Sequence, residues 1–207
     1  MTKSQIMLIP IMLIITLILW NCGKNASDTN KYNSAVEQQR QEINDWMKND
    51  PNSPFNYKGK VDFHSLNYFE PNPEFIFTSK LTEYITKDTV VIFGTKGEER
   101  KAVRYGYLIL KKEGNEYKLS VYETVNPDFT KYYSIWFTDK TTNNSTYGVG
   151  RYLPFELSSD KDFNYTIDFN FAYNPYCAYS ADYSCAIPTK EDYIDLAIEA
   201  GEKKFHD

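Results

Sequence analysis

Residues 100–124 read RKAVRYGYLILKKEGNEYKLSVYET, and their pattern decides the fold class. Tyr107, Ile109 and Lys111 alternate with Leu108 and Leu110, and Leu119 and Val121 share one side of the run that follows. A period of two is the signature of a strand with one buried face. Glu113-Gly114-Asn115 between the two runs supplies the residues of a tight hairpin turn. The spacing therefore predicts two antiparallel strands in the middle of the chain.

Further strand-like runs lie on either side. EFIFTSKLT (74–82), DTVVIFGT (88–95) and KYYSIWFTD (131–139) are rich in aromatic and β-branched residues, with Pro, Gly and Asn between them. The chain holds 18 Tyr and 13 Phe in 207 residues, a bias toward sheet. No alternation of strand with helix appears, which excludes a doubly wound α/β sheet. The expected class is mainly β: an antiparallel sandwich or barrel-like sheet, with one helix before it and one after it. Ser34–Met47 predicts the first helix, with Val36, Ile43 and Met47 at helical spacing and a capping box from Ser34 to Glu37. The second is expected from Thr189, with Asp192 completing a capping box and Tyr193, Ile194, Ala197 and Ile198 as its buried stripe.

Residues 1–21 predict a targeting segment. Lys3 precedes an apolar run from Ile6 to Trp20, broken only by Thr16, and the run ends at Cys22. A hydrophobic run meeting a lone cysteine, with Leu19 three positions before it, resembles a bacterial lipoprotein signal. That resemblance implies cleavage before Cys22, diacylation of its thiol and an extracytoplasmic domain tethered to a bacterial membrane. Residues 22–32 are expected as a polar tether and 33–207 as a single domain.

Composition narrows the function classes. The net charge is −5 with no basic cluster, so no electrostatic footprint for nucleic acid exists. Two histidines, His64 and His206, are too few for a multi-histidine metal site. Tyr147-Gly148-Val149-Gly150-Arg151 lacks the Lys-Ser/Thr of a phosphate loop and is followed by no helical pattern. Neither metal nor cofactor is expected.

Polar residues concentrate between Asp139 and Pro188. Arg151 with Asp139 and Asp168 can form a charged cluster, and Asp168 and Asn170 are expected on one face of a strand over 163–171. With Cys22 acylated, Cys177 and Cys185 are the two remaining cysteines. In an oxidising compartment that even count favours a disulfide closing a short loop, worth ~2–3 kcal/mol. His64, in an aromatic loop, is expected to be structural.

Three runs together resemble the DUF1684 family: DKTTNNSTYGVGRYL (139–153), IDFNFAYNPYCAYSADYSCAIP (167–188) and AGEKKF (200–205). NDPNSPF (49–55) also fits that family's N-terminal part. Asp139, Tyr147, Gly148, Gly150, Arg151, Asp168, Asn170, Asn174, Cys177 and Cys185 match its pattern, whereas Val149, Phe171, Tyr176 and Ala186 depart from it. The resemblance implies no established activity. The expected function is a non-catalytic small-ligand or envelope-interaction module with an aromatic-lined cleft near 147–151 and 168–174. The rival readings are a hydrolase using Asp139, Asp168 and Arg151, and a purely structural role for the same residues.

Overall fold

A computed structural model describes residues 8–57, 61–126 and 128–206. The chain forms two compact units, Met1–Arg40 and Gln41–Asp207. Helix α1, Leu8–Asn49, supplies the described part of the first and opens the second. It begins earlier than the Ser34 start expected, so Ser34 is interior and its capping box does not form. Residues 22–32, expected as a tether, lie within the helix. The expected targeting segment begins outside the described residues, as does the side chain of Cys22. Among the described residues, no helix is long and apolar enough to cross a membrane.

The helix stops where Asn-Asp-Pro requires it to. Ser53 Oγ donates to Met47 O at 2.7 Å, and Asn56 Nδ2 donates to Lys48 O at 3.1 Å and Asp50 O at 2.9 Å. These bonds satisfy carbonyls that the helix leaves open.

The rest is sheet and turns. Among the described residues nine strands follow: β1 (Ile76–Lys80), β2 (Thr82–Glu83), β3 (Thr89–Phe93), β4 (Glu99–Lys112), β5 (Asn115–Val125), β6 (Lys131–Asp139), β7 (Arg151–Leu153), β8 (Asn164–Asp168) and β9 (Tyr193–Ile194). The main sheet runs β2-β4-β5-β6-β7, with β3 also on β4 and β9 on β6. Every pair is antiparallel except β6 with β9. The path has two open ends, so the sheet is not a closed barrel. β1 and β8 pair into a separate ribbon.

The central hairpin follows the sequence closely. Leu108 pairs Leu119 and Lys112 pairs Asn115, leaving Glu113-Gly114 as a two-residue loop. Both take positive φ, 53° and 79°, as a mirror-image turn demands. One face of this hairpin, Leu108, Leu110, Leu119 and Val121, joins Ile135, Phe137 and Leu153 under the β1–β8 ribbon, which adds Phe77, Tyr165 and Ile167. Each such side chain, fully buried, stabilises the fold by ~1.5–3 kcal/mol. Ser79 Oγ ties ribbon to sheet by accepting the Ile109 amide at 2.9 Å. The opposite face carries a smaller cluster of Ile92, Ala102, Tyr122, Trp136 and Ala186.

The expected C-terminal helix is absent. Thr189 and Asp192 do form the capping box, but only around a single 3-10 turn, Lys190–Asp192. β9 follows at once. Ile194, Ile198 and Ala200 are buried and Leu196 half-buried, while Tyr193, Asp195, Ala197 and Glu199 are exposed. The true period of 192–200 is two, which four apolar residues at mixed spacing disguised. Asp192 is buried here, accepting from Thr189 N–H at 2.8 Å and from the Tyr122 hydroxyl at 2.8 Å.

This extended tail ends at Gly201, whose φ is 76°. A Cβ there would lie 2.6 Å from the carbonyl oxygens of Ala172 and Phe169. Gly201→Ala is therefore expected to lower stability by roughly 2–3 kcal/mol through backbone strain and displaced packing. A urea titration checks this, and an unchanged midpoint would contradict the close approach.

Candidate functional site

Two distinct places emerge from the residues singled out by sequence. The first is a polar knot built on Arg151, which opens β7 and is 1% exposed. Its Nη2 donates to Asp139 Oδ2 at 2.7 Å and to Ile198 O at 2.9 Å. Its Nη1 donates to Ala200 O and, at 3.3 Å, to Glu202 O. The guanidinium also sits over the Phe137 ring, 5.2 Å from its centroid. Burial pulls the Arg151 pKa down, and the Asp139 carboxylate opposes that shift.

Asp139 is equally enclosed. Its Oδ1 accepts from the Thr141 N–H and hydroxyl, both at 2.5 Å. The Thr141 hydroxyl in turn lies 3.0 Å from that of Thr146. The polar turn 139–146 thus folds around its own first carboxylate. Gly150 has φ 106°, and a Cβ there would stand 2.6 Å from Phe137 O. Gly148 faces Asn143 Oδ1. The glycine pair lets the turn close against β6.

Asp168 and Asn170 serve another junction. The β8 alternation ends at Asp168, and Phe169–Phe171 forms a 3-10 turn. Asp168 Oδ1 caps that turn, accepting from Asn170 N–H and Nδ2 at 2.9 Å each. The buried Asn170 amide then clamps the Asn72 backbone, accepting from its N–H at 2.7 Å and donating to its carbonyl at 2.8 Å. The single strand face expected for these two residues is replaced by this turn, because an asparagine amide satisfies both polar groups of one peptide residue.

The structure adds a residue that sequence reasoning missed. Glu202 is fully enclosed, and the Tyr179 hydroxyl donates to its carboxylate at 2.7 and 2.8 Å. The Asn174 N–H donates to it at 2.9 Å, while Asn174 Nδ2 holds Lys203 O at 2.7 Å. Burial pushes the Glu202 pKa up to about 7, against the opposing pull of Asn174, Tyr179 and Arg151. Its signal in the sequence is a lone acid following a glycine in AGEKKF.

The second place is a groove of about 400 Å³ on the other face of the sheet. Its walls include Trp136 from β6, Tyr152 from β7, and Tyr173, Tyr176 and Tyr183 from the following loops, with Arg100 at one side. Tyr152 and Tyr173 exchange both backbone hydrogen bonds, at 2.9 and 3.0 Å, and their rings meet edge to face at 5.9 Å. The Tyr152 hydroxyl donates to Ala186 O at 2.6 Å, fixing one wall. Arg100 donates to Glu98 Oε1 at 2.6 Å and to Ser184 O at 2.7 Å. Hydrogen bonds from Ser184 and from its own backbone, with Arg100 adding, hold the Glu98 pKa at about 2. Burial raises the pKa of Tyr152, Tyr173 and Tyr176, so all three keep their protons.

None of Asp139, Tyr147, Gly148, Gly150, Arg151, Asp168, Asn170 or Asn174 lines this groove; Cys185 does. The expected disulfide is drawn as two free, half-buried thiols, with Cys177 N–H donating to Cys185 Sγ at 3.2 Å. Tyr147 donates its hydroxyl to Cys177 O at 3.2 Å and approaches Cys177 Sγ at 3.8 Å. His64 stacks on Phe205 with ring centroids 3.8 Å apart. Among the described residues, no group of three or more His, Cys, Asp or Glu is placed to hold a metal ion.

An open antiparallel sheet with a polar knot on one side and a tyrosine groove on the other defines the class. The chain belongs to the DUF1684 family of proteins of unknown function, whose model matches residues 61–203. The solution NMR structure of an uncharacterized protein of Haloarcula marismortui is similar. It has a TM-score of 0.59 and 28% identity, over 86% of this chain and 96% of that one. No curated protein matches.

Arg151→Ala is expected to cost ~3–5 kcal/mol, since it strands the Asp139 carboxylate and several carbonyls in a dry interior. Arg151→Lys is also expected to destabilise, because a point charge cannot span donors arranged as a fork. Denaturant midpoints for both check this.

Glu202 makes stability depend on pH. The unfolded carboxyl releases its proton near 4.5 and the folded one near 7, so the folded state holds the extra proton between those values. Stability contributed by this group is full at low pH and falls as pH rises through that window, by on the order of 3 kcal/mol. Glu202→Gln is expected to flatten that slope, as read from urea midpoints between those limits.

Proposed function

We propose that this protein is a small-ligand-binding module and that the tyrosine groove is its site. The supporting observation is the pairing of exposed π surface with protonated hydroxyls in one concave, preformed wall. Most ligand pockets share this construction, apolar and aromatic with a few fixed polar groups. Arg100 is the one formally charged residue on the lining, and Glu98 already engages it. A neutral or singly anionic ring-bearing molecule fits: an aromatic acid or a sugar ring whose faces stack on tyrosine.

The groove replaces the 147–151 and 168–174 polar residues as the seat of binding in this reading, apart from Tyr173. A hydrolase built on Asp139 and Asp168 draws no support from their surroundings. Asp139 is closed off by Arg151 and Thr141, and Asp168 caps a turn. The proposal keeps the lipid anchor. Cys22, following an apolar run, would carry acyl chains and hold the domain on the extracytoplasmic side of a bacterial membrane. The binding module would then work within reach of that surface.

The test is a thermal-shift screen of the protein against aromatic acids, sugars and neutral heterocycles, with Tyr173→Ala alongside. Tyr173 is 39% exposed, so its removal is expected to cost little stability. Binding to the wild type with a roughly tenfold or greater loss of affinity in the variant supports the groove. Equal binding by both proteins would move the site elsewhere.

A further inference from the structure

The two thiols beside the groove are not needed to close their own loop. Thr95 N–H donates to Cys185 O at 3.0 Å, and Cys185 N–H donates to Thr95 Oγ1 at 3.2 Å. Lys96 N–H donates to Ser184 Oγ at 3.2 Å, Lys96 Nζ to Asp182 O at 3.0 Å, and Arg100 to Ser184 O at 2.7 Å. Within the loop, Ser180 N–H reaches Tyr176 O at 3.1 Å. The backbone is thus held at Cys177 and at Cys185 without a covalent bridge. The reduced pair is thus compatible with the fold, unlike a small domain that depends on its disulfide.

The surroundings of the pair differ between its two sulfurs. Cys177 Sγ is approached by the Tyr147 hydroxyl, and Cys185 Sγ accepts the Cys177 amide. Cys185 also forms part of the groove wall, which gives solutes a path to the pair. Hydrogen bonding from the Cys185 thiol, joined by the Tyr147 and Thr95 hydroxyls, lowers the Cys177 pKa to about 6. The same hydrogen bond, with burial, raises that of Cys185. The pair can therefore hold one thiolate beside one thiol, the attacking and resolving groups that exchange requires.

We propose that Cys177 and Cys185 are a reversible dithiol–disulfide couple that exchanges with low-molecular-weight disulfides entering along the groove. One thiolate of the pair attacks one sulfur of the incoming disulfide. That S–S bond breaks, a bond from the protein sulfur forms, and the other half leaves as a thiolate that takes a proton from water. The second protein thiol then loses its proton and attacks the first protein sulfur, expelling the second half. Two protein thiols become one disulfide, and the substrate disulfide becomes two thiols, having gained both electrons. The couple uses the groove only as access, so it stands or falls apart from the ring-bearing ligand proposed above.

The test uses the full-length chain carrying Cys22→Ser, folded and equilibrated with mixtures of reduced and oxidised glutathione. Acid quenching, alkylation and peptide mass analysis report the state of each sulfur. The expected result is a Cys177–Cys185 bridge, recognised by loss of two hydrogens, whose fraction rises and falls reversibly with the glutathione ratio. Cys185→Ser and Cys177→Ser are each expected to hold glutathione on the remaining thiol as a mixed disulfide. Circular dichroism confirms that both variants fold. A bridge that persists at every ratio makes the pair a structural staple and overturns the proposal. Thiols that stay unmodified until the protein is denatured overturn it as well.

Discussion

The structure depends on where one guanidinium puts its hydrogen bonds. Residues 195–203 form no helix, and their sheet pairing is slight, so their carbonyls need other donors. Arg151 provides them for Ile198, Ala200 and Glu202 while Asp139 balances its charge. A fork of fixed donors suits this better than any other side chain. Because Arg151 begins β7 and Asp139 ends β6, the same interaction also fastens the sheet to the C-terminal segment that covers its core.

The polar knot and the tyrosine groove lie on different sides of the sheet. The polar residues that look chemical in the sequence are almost all engaged with backbone: Asp139 with its own turn, Asn170 with Asn72, Asn174 with Lys203. Such groups are costly to bury unless fully bonded, so their presence signals a demanding connection between segments rather than reactivity. The groove shows the reverse arrangement. Its tyrosines have ordinary local roles in sheet and loop, yet their faces are left toward solvent. Trp136 illustrates the transition, stacked on Tyr122 at 4.8 Å within the packed cluster and edging the groove with its remaining surface.

Legibility along the chain varied with how local the controlling forces are. The β4–β5 hairpin was readable apart from Asn115, read as turn but paired in β5, and the bulge at Arg104–Gly106, since strand alternation and a turn with positive φ are properties of adjacent residues. The end of α1 was readable for the same reason, and so was the Thr189–Asp192 capping box. What followed that box was misread. Tyr193, Ile194, Ala197 and Ile198 satisfy a helical spacing, but pairing of β9 with Thr138 and Asp139 holds the segment extended. Ile194, Ile198 and Ala200 then reach the core, with Leu196 packed against it. The β8 alternation was read three residues too far, because the turn after Asp168 is fixed by Asn170 clamping the distant Asn72 backbone.

By itself, the sequence determined the strand-rich class, the central hairpin and the helix end, while the likeness of its motifs pointed to the family. The first three follow from periodicity, turn chemistry and composition, which act between near neighbours. Tertiary structure alone decided that Arg151 and Asp139 are sealed together, that Glu202 lies buried beside them, and that Tyr152, Tyr173, Tyr176 and Tyr183 converge on one groove. Each of those outcomes sets the solvation of a side chain through segments remote in sequence. Whether a polar group is a strut or a site is decided by that solvation.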